Sequence, residues 1–261
     1  MAAETKQIKT PSKLRFTIIF LVMAVLYVFS WRGVEADIGS LIEGWPYIRD
    51  LITGMWPPNW KYFERILDPM LETLRIAIIA TTFGAILSIP FTLLASRNVF
   101  PNTWVTNSAR SFLNFVRTIP DLLLAGIFVA LLGIGPVAGV AAMTVFTFGI
   151  ITKLAYESVE TIDPGPLESM TAVGANKWQF IAFAVVPQAL PAFVAYVLYA
   201  FEICVRAAAI LGLVGAGGIG IMLSETLETF QYQKMATIVL FTLVIVIVID
   251  SISSRIREKL L

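Results

Sequence analysis

The sequence predicts an all-α, polytopic membrane protein of about six transmembrane helices, on three observations. Hydrophobic residues make up 57% of the 261-residue chain and charged residues only 14%, with a mean hydropathy of +0.81, outside the range of a water-soluble domain. Apolar runs recur that can cross a hydrocarbon core of about 30 Å, for which roughly 20 helical residues are needed. The polar residues gather in segments between those runs. A chain of this kind crosses lipid as helices, because a helix satisfies its backbone polar groups within its own segment.

Composition also excludes several chemistries. A net charge of +1 leaves no basic stripe to neutralise nucleic-acid phosphates. There is no histidine, which removes the commonest metal ligand and general base. The one cysteine, Cys204, sits in an apolar run, so one chain can build neither a disulfide framework nor a cysteine metal site. An intramembrane enzyme would have Glu202 alone as its acid or base.

The six candidate spans are 14–31, 70–95, 119–134, 136–156, 190–213 and 236–249, of which the third is short. The first carries a basic flank and the small-residue pattern Val34-Glu35-Ala36 of a signal peptide. Its apolar run is long for a signal peptide, so an uncleaved anchor is expected. The stretch "EGWPYIRDLITGMWPPNWKYFERILDP" that follows is rich in Trp, Tyr and Pro. It reads as a helical segment on the outer membrane surface, broken at Pro57-Pro58. Residues 1–69 thus form an N-terminal anchor with an interfacial segment, and 70–261 a transmembrane core.

Lysine and arginine orient the spans, because positive loops stay in the cytoplasm. With both termini cytoplasmic, Lys6, Lys9, Lys13, Arg15, Arg97, Arg110, Arg117, Lys153, Lys177, Arg255, Arg257 and Lys259 lie inside, against Arg32, Arg49, Lys61, Arg65 and Lys234 outside. That is 12 against 5, with Arg75 and Arg206 within spans. The polar segment 157–189 then faces the cytoplasm. Long loops with internal structure suggest a docking surface. Pro166 lies near a helix start, Glu168 in a first turn, Gly174 at a break, and a second helix runs from about Lys177 to Pro187. The small residues Ser169, Ala172, Gly174 and Ala175 would let a partner's groove close on the backbone. An amphipathic elbow on the lipid surface is the alternative.

Glu168, Gly174 and Pro187, in the stretch "ESMTAVGANKWQFIAFAVVP", resemble the Glu-Ala-Ala loop of the permease subunits of bacterial ABC importers. Ser169 and Met170 replace the two alanines of that pattern. From about residue 70 onward, "RTIPDLLLAGIFVALLGIGPVAGV", "VPQALPAFVAYVLYAFEICVRAAAILGLVGAGGIG" and "IDSISSRIREKL" resemble the phosphonate-importer permeases, with Phe146-Thr147 where a His-Thr pair is expected. The resemblance implies a type I ABC importer permease fold in the bacterial inner membrane. It makes 157–189 the coupling loop, with Glu168, Ser169, Ala172, Gly174, Ala175 and Pro187 at the ATPase. It further implies two ATP-binding cassette subunits, which carry ATP and Mg and do the hydrolysis, no cofactor on this chain, and a periplasmic or lipid-anchored binding protein. The substrate is expected to be a phosphonate or related phosphorus oxyanion, with phosphite, phosphate or methionine as alternatives. One chain has too few helices to open on both sides alone, so a homodimer around the pathway is expected.

Three constellations remain. "GAGGIG", 215–220, fits a dinucleotide fingerprint but follows a membrane helix, where the βαβ context is missing, and no Walker A sequence occurs. Irregular glycine-rich backbone at membrane depth must be buried or line a watery cavity. Gly215, Gly217 and Gly218 are therefore either an outer gate or a tightly packed helix end. Glu202 and Arg206 share a helix face at i, i+4. Charges there are expensive in lipid, so they either meet a passing anion on the translocation pathway or hold helices together as a closed pair. The acids Glu157, Glu160 and Asp163 suggest a solvated helix end or an oxygen-ligand metal site. Arg117-Thr118-Ile119-Pro120-Asp121 opens the third span, where the resemblance implies a cytoplasmic gate nearby, and Asp250 is expected to pair with Arg255 or Lys153.

Overall fold

The structure, a computed structural model, describes residues 13–33 and 38–260, all of them in helices or the turns between helices. Lys6, Lys9 and the Val34-Glu35-Ala36 pattern lie outside the described residues. The chain divides into two units, 1–53 and 54–261.

In the first unit, α1 (Lys13–Gly33) is apolar on every side, with Phe16, Phe20 and Phe29 exposed, as a lipid-facing span requires. Helix α2 (Ile38–Gly54) carries Pro46 and exposes Trp45 and Tyr47.

The second unit is a helix bundle. A short 3-10 turn, Trp60–Tyr62, leads into α3 (Phe63–Ala95). Then come α4 (Thr103–Thr118), α5 (Asp121–Leu132), α6 (Pro136–Glu160), α7 (Pro164–Ala172), α8 (Lys177–Phe180), α9 (Val186–Leu211), α10 (Ile219–Glu228) and α11 (Tyr232–Leu260). Its core joins Ile76, Ala77 and Ala80 of α3 to Ala142 and Met143 of α6, and to Cys204, Val205 and Leu211 of α9. Small residues let these backbones approach. A Cβ at Gly84 would stand 2.2 Å from Thr147 Oγ1, and that hydroxyl donates to Met143 O at 2.8 Å and Ala80 O at 3.2 Å.

By length and composition, five of the described helical stretches can cross a membrane, or six if one bent pair counts as a span. The bent pair corrects the third expected span. Instead of one helix over 119–134, α4 and α5 meet at 84°, and the 12 residues of α5 reach only about 18 Å. Pro120 causes the elbow: its ring drives Ile119 into extended backbone, ψ 120°, which no helix continues through.

Within the second unit, which begins at Gly54, Ile66 and Met70 are buried against Ile219 and Ile238. Within the expected segment 157–189, α6 continues to Glu160, α7 occupies Pro164–Ala172, and the helix that begins at Lys177 runs on to Val214. Pro187 does not end that helix. The π-turn Ile181–Val185 immediately before it loosens the backbone where the proline lacks an N–H and crowds the previous turn.

Candidate functional site

The turn of 161–176 is built by side-chain caps. Asp163 accepts the Gly165 N–H at 2.9 Å, and Pro164 starts α7 where no N–H is needed. This cap replaces the expected start near Pro166, and it leaves Glu168 beyond the first turn. Helix α7 stops at Gly174, whose φ of +72° is left-handed. Asn176 then opens α8 with a capping box, its side chain accepting the Gln179 N–H while Gln179 Oε1 accepts the Asn176 N–H, both at 2.9 Å.

Glu168, Ser169, Ala172 and Gly174 are exposed and Ala175 is half-buried, so these five expected residues share one projecting turn. No atom lies within 4 Å of a Cβ built on Gly174. Beside it Val173 is 76% and Trp178 78% exposed. Pro187 is also exposed but stands ten residues past Lys177, about 15 Å up the helix, and is not part of the turn.

The base of this turn is tied to the bundle by Gln188, which the sequence reading did not single out, and by Lys177 and Glu160, which it placed at a helix start and among the acids at the end of the fourth span. Gln188 accepts the Asp163 N–H at 3.1 Å and donates to Ala184 O at 2.8 Å. Lys177 donates to Val99 O and lies over the Phe100 and Phe180 rings. Glu160 accepts from Arg110 at 2.5 Å and from the Arg97 N–H at 2.8 Å, joining the ends of α3 and α6 to the middle of α4. Of the acids considered for a metal, Glu160 is therefore paired, Glu157 pairs with Lys153, and Asp163 is a cap. Lys153 thus meets Glu157 and Tyr156 and not Asp250, and no ion pair of Asp250 is present among the described residues.

Within the bundle, Glu202 is the hub of a charge cluster. Its Oε1 accepts from Arg206 at 2.5 Å, as the i, i+4 spacing predicts. Its Oε2 accepts from Arg257 of α11 at 3.0 Å, a partner the loop assignment of Arg257 had hidden. The Glu202 side chain is 6% exposed and that of Arg206 48%. Both carboxylate oxygens are engaged by guanidinium groups, so Glu202 acts as a counter-ion and helix tie, not as a free base.

The glycine-rich loop begins nine residues beyond Arg206, about 14 Å along the helix axis, and forms a separate group. Glu72 accepts the Gly218 N–H at 3.0 Å, Thr73 Oγ1 accepts the Ile219 N–H at 2.8 Å, and Gly215 O accepts the Gly135 N–H at 2.9 Å. A Cβ at Gly217 would stand 2.9 Å from Pro136 Cα. The loop is thus packed tightly on α3 and the start of α6. The pair Glu72-Thr73, adjacent polar residues in an apolar span, is the signal that could have located this contact. Arg117 and Asp121 line, with Phe146, a cavity of about 330 Å³ at the elbow of α4 and α5.

The family model described as binding-protein-dependent transport system inner membrane component matches residues 80–260. The chain is 35% identical over 261 residues to a proposed phosphite transport system permease protein of Stutzerimonas stutzeri, across all of this chain and 92% of that one. It is 41% identical over 211 residues to a phosphate-import permease protein of Mycolicibacterium smegmatis, across 80% of this chain and 40% of that one. It is 43% identical over 117 residues to a proposed cryptic phosphonate transport system permease protein of Escherichia coli K12, across 45% of this chain and 96% of that one. Among solved structures, the inward-facing MetNI methionine ABC transporter superposes with a TM-score of 0.67 at 22% identity, over 78% of this chain and 99% of that one.

Proposed function

The chain belongs to the family of binding-protein-dependent transport system inner membrane components, and on that premise we propose that it carries a phosphonate or related phosphorus oxyanion into the cytoplasm by alternating access. It is the transmembrane permease subunit of an ABC importer, with a fold shared by the type I importer permeases. A homodimer surrounds the pathway, both termini face the cytoplasm, and two ATPase subunits bind ATP and Mg and perform the hydrolysis. A periplasmic or lipid-anchored binding protein delivers the substrate. This chain carries no cofactor.

The observation that carries the coupling role is the projecting turn with its bare Gly174 and exposed Val173 and Trp178. An exposed apolar patch on a tightly capped turn suits a protein partner. Its base is hydrogen-bonded to the ends of α3, α6 and α9, so closure of the ATPases is passed to the membrane helices through Asp163, Gln188, Lys177 and Glu160. Within the membrane, a half-exposed Arg206 cannot face lipid without a large penalty. Its face of α9 therefore turns toward the pathway, with Glu202 orienting it. Gly215, Gly217 and Gly218 close the outer end as a packed gate.

Phosphorus-starved cells carrying the wild-type chain are expected to take up labelled 2-aminoethylphosphonate, and cells with a deletion or Glu168→Lys are expected not to, with the variant still in the membrane. Undiminished uptake in the deletion strain, with no redundant importer, turns the substrate to phosphite, phosphate or methionine. Gly174→Asp is expected to remain in the membrane and abolish stimulated ATP hydrolysis; normal stimulation contradicts docking at this turn.

A further inference from the structure

Between α9, α10 and α11 lies a cavity of about 280 Å³ in which Arg206 is the only charged lining residue among the described residues, with apolar ones that include Ile219, Leu223, Ile238 and Val246. We propose that this cavity is an organophosphonate subsite, with the phosphonate group on Arg206 and the organic substituent against the apolar wall. The proposal rests on the importer reading and adds to it a substrate-binding site in the permease itself.

Three features of the cavity point to this ligand. Arg206 donates through Nη2 to Glu202, yet a guanidinium has five N–H donors in a planar fork suited to a tetrahedral oxyanion. Because Arg257 takes the second oxygen of Glu202, two guanidinium groups share one carboxylate and the cluster keeps an excess positive charge. Arg257 Nε, within the same cluster, is buried with no hydrogen-bond partner among the described residues. Buried polar groups are rarely left unpaired, and the cluster thus holds more donors than its one carboxylate accepts.

The rest of the lining selects by size and polarity. The volume lies just below the roughly 300–1,000 Å³ of pockets for drug-sized ligands, which suits a phosphonate with a few carbons. Burying each methylene contributes about four-fold in affinity. Phosphate and phosphite have no carbon to place there and would leave the wall uncovered, so the cavity favours compounds with a carbon–phosphorus bond.

The test is calorimetric titration of the permease with its ATPase subunits in nanodiscs, without binding protein, using propylphosphonate, methylphosphonate and inorganic phosphate. Saturable binding is expected, with propylphosphonate about sixteen-fold tighter than methylphosphonate and phosphate weakest. Arg206→Gln is expected to weaken all three at least about ten-fold. Val239→Phe, which fills the apolar wall and leaves the charges in place, is expected to weaken propylphosphonate and spare phosphate. Equal affinity for phosphate and propylphosphonate, binding that survives Arg206→Gln, or no saturable binding overturns the proposal. The titration needs neither ATP nor binding protein. Phosphonate uptake by cells without binding here therefore rejects the subsite and leaves the importer reading standing.

Discussion

Glu202→Gln is expected to lower the stability of the purified permease by about 3–5 kcal/mol, toward the lower end because the Arg206 side chain is half open. The substitution removes the one carboxylate that compensates both Arg206 and Arg257 and leaves two guanidinium groups with a neutral amide between them. The loss should appear as a lower unfolding midpoint in detergent. Arg257→Gln alone should cost less, because Glu202 keeps Arg206. The double variant Glu202→Gln with Arg257→Gln should be less destabilised than the sum of the singles, since it removes one carboxylate and one cation together. An unchanged midpoint for Glu202→Gln would falsify the role of this cluster in holding α9 to α11.

Gly217→Ala is expected to destabilise by about 2–6 kcal/mol, from two sources that add. At φ +90° an L side chain is strained by about 1–3 kcal/mol. The new Cβ also meets Pro136 Cα at 2.9 Å and Glu72 Oε1 at 3.0 Å, and overpacking against backbone costs roughly 1–3 kcal/mol more. Gly174→Ala is the control. It meets the same kind of strain at φ +72° but opens into free space, so its loss should stay near the strain term. Equal midpoint shifts for the two variants would show that the loop on α3 and α6 is not tightly packed.

The projecting turn was legible in the sequence because local chemistry builds it. Gly174 breaks the chain, Lys177 starts the next helix, and the polar residues between apolar runs have nowhere to go but the surface. The i, i+4 pair of Glu202 and Arg206 was legible for the same reason, being fixed by helical geometry. The elbow at Pro120 carried a clear signal in its proline, yet hydropathy smoothed α4 and α5 into one short span. Pro187 misled in the opposite direction, since a π-turn absorbed a residue that usually ends a helix.

By itself the sequence determined what depends on neighbours in the chain: an all-helical membrane protein, the approximate spans, the capped turn and the pairing of Glu202 with Arg206. The tertiary structure alone decided what depends on residues far apart. It placed Arg257 on Glu202 across 55 positions and Glu72 on Gly218 across 146. It also separated the charge cluster from the glycine loop and opened the cavity beside Arg206. The physical reason is that hydropathy and helical period record which face of a helix is apolar, whereas the partner of a buried charge is set by which helices pack together and at what depth.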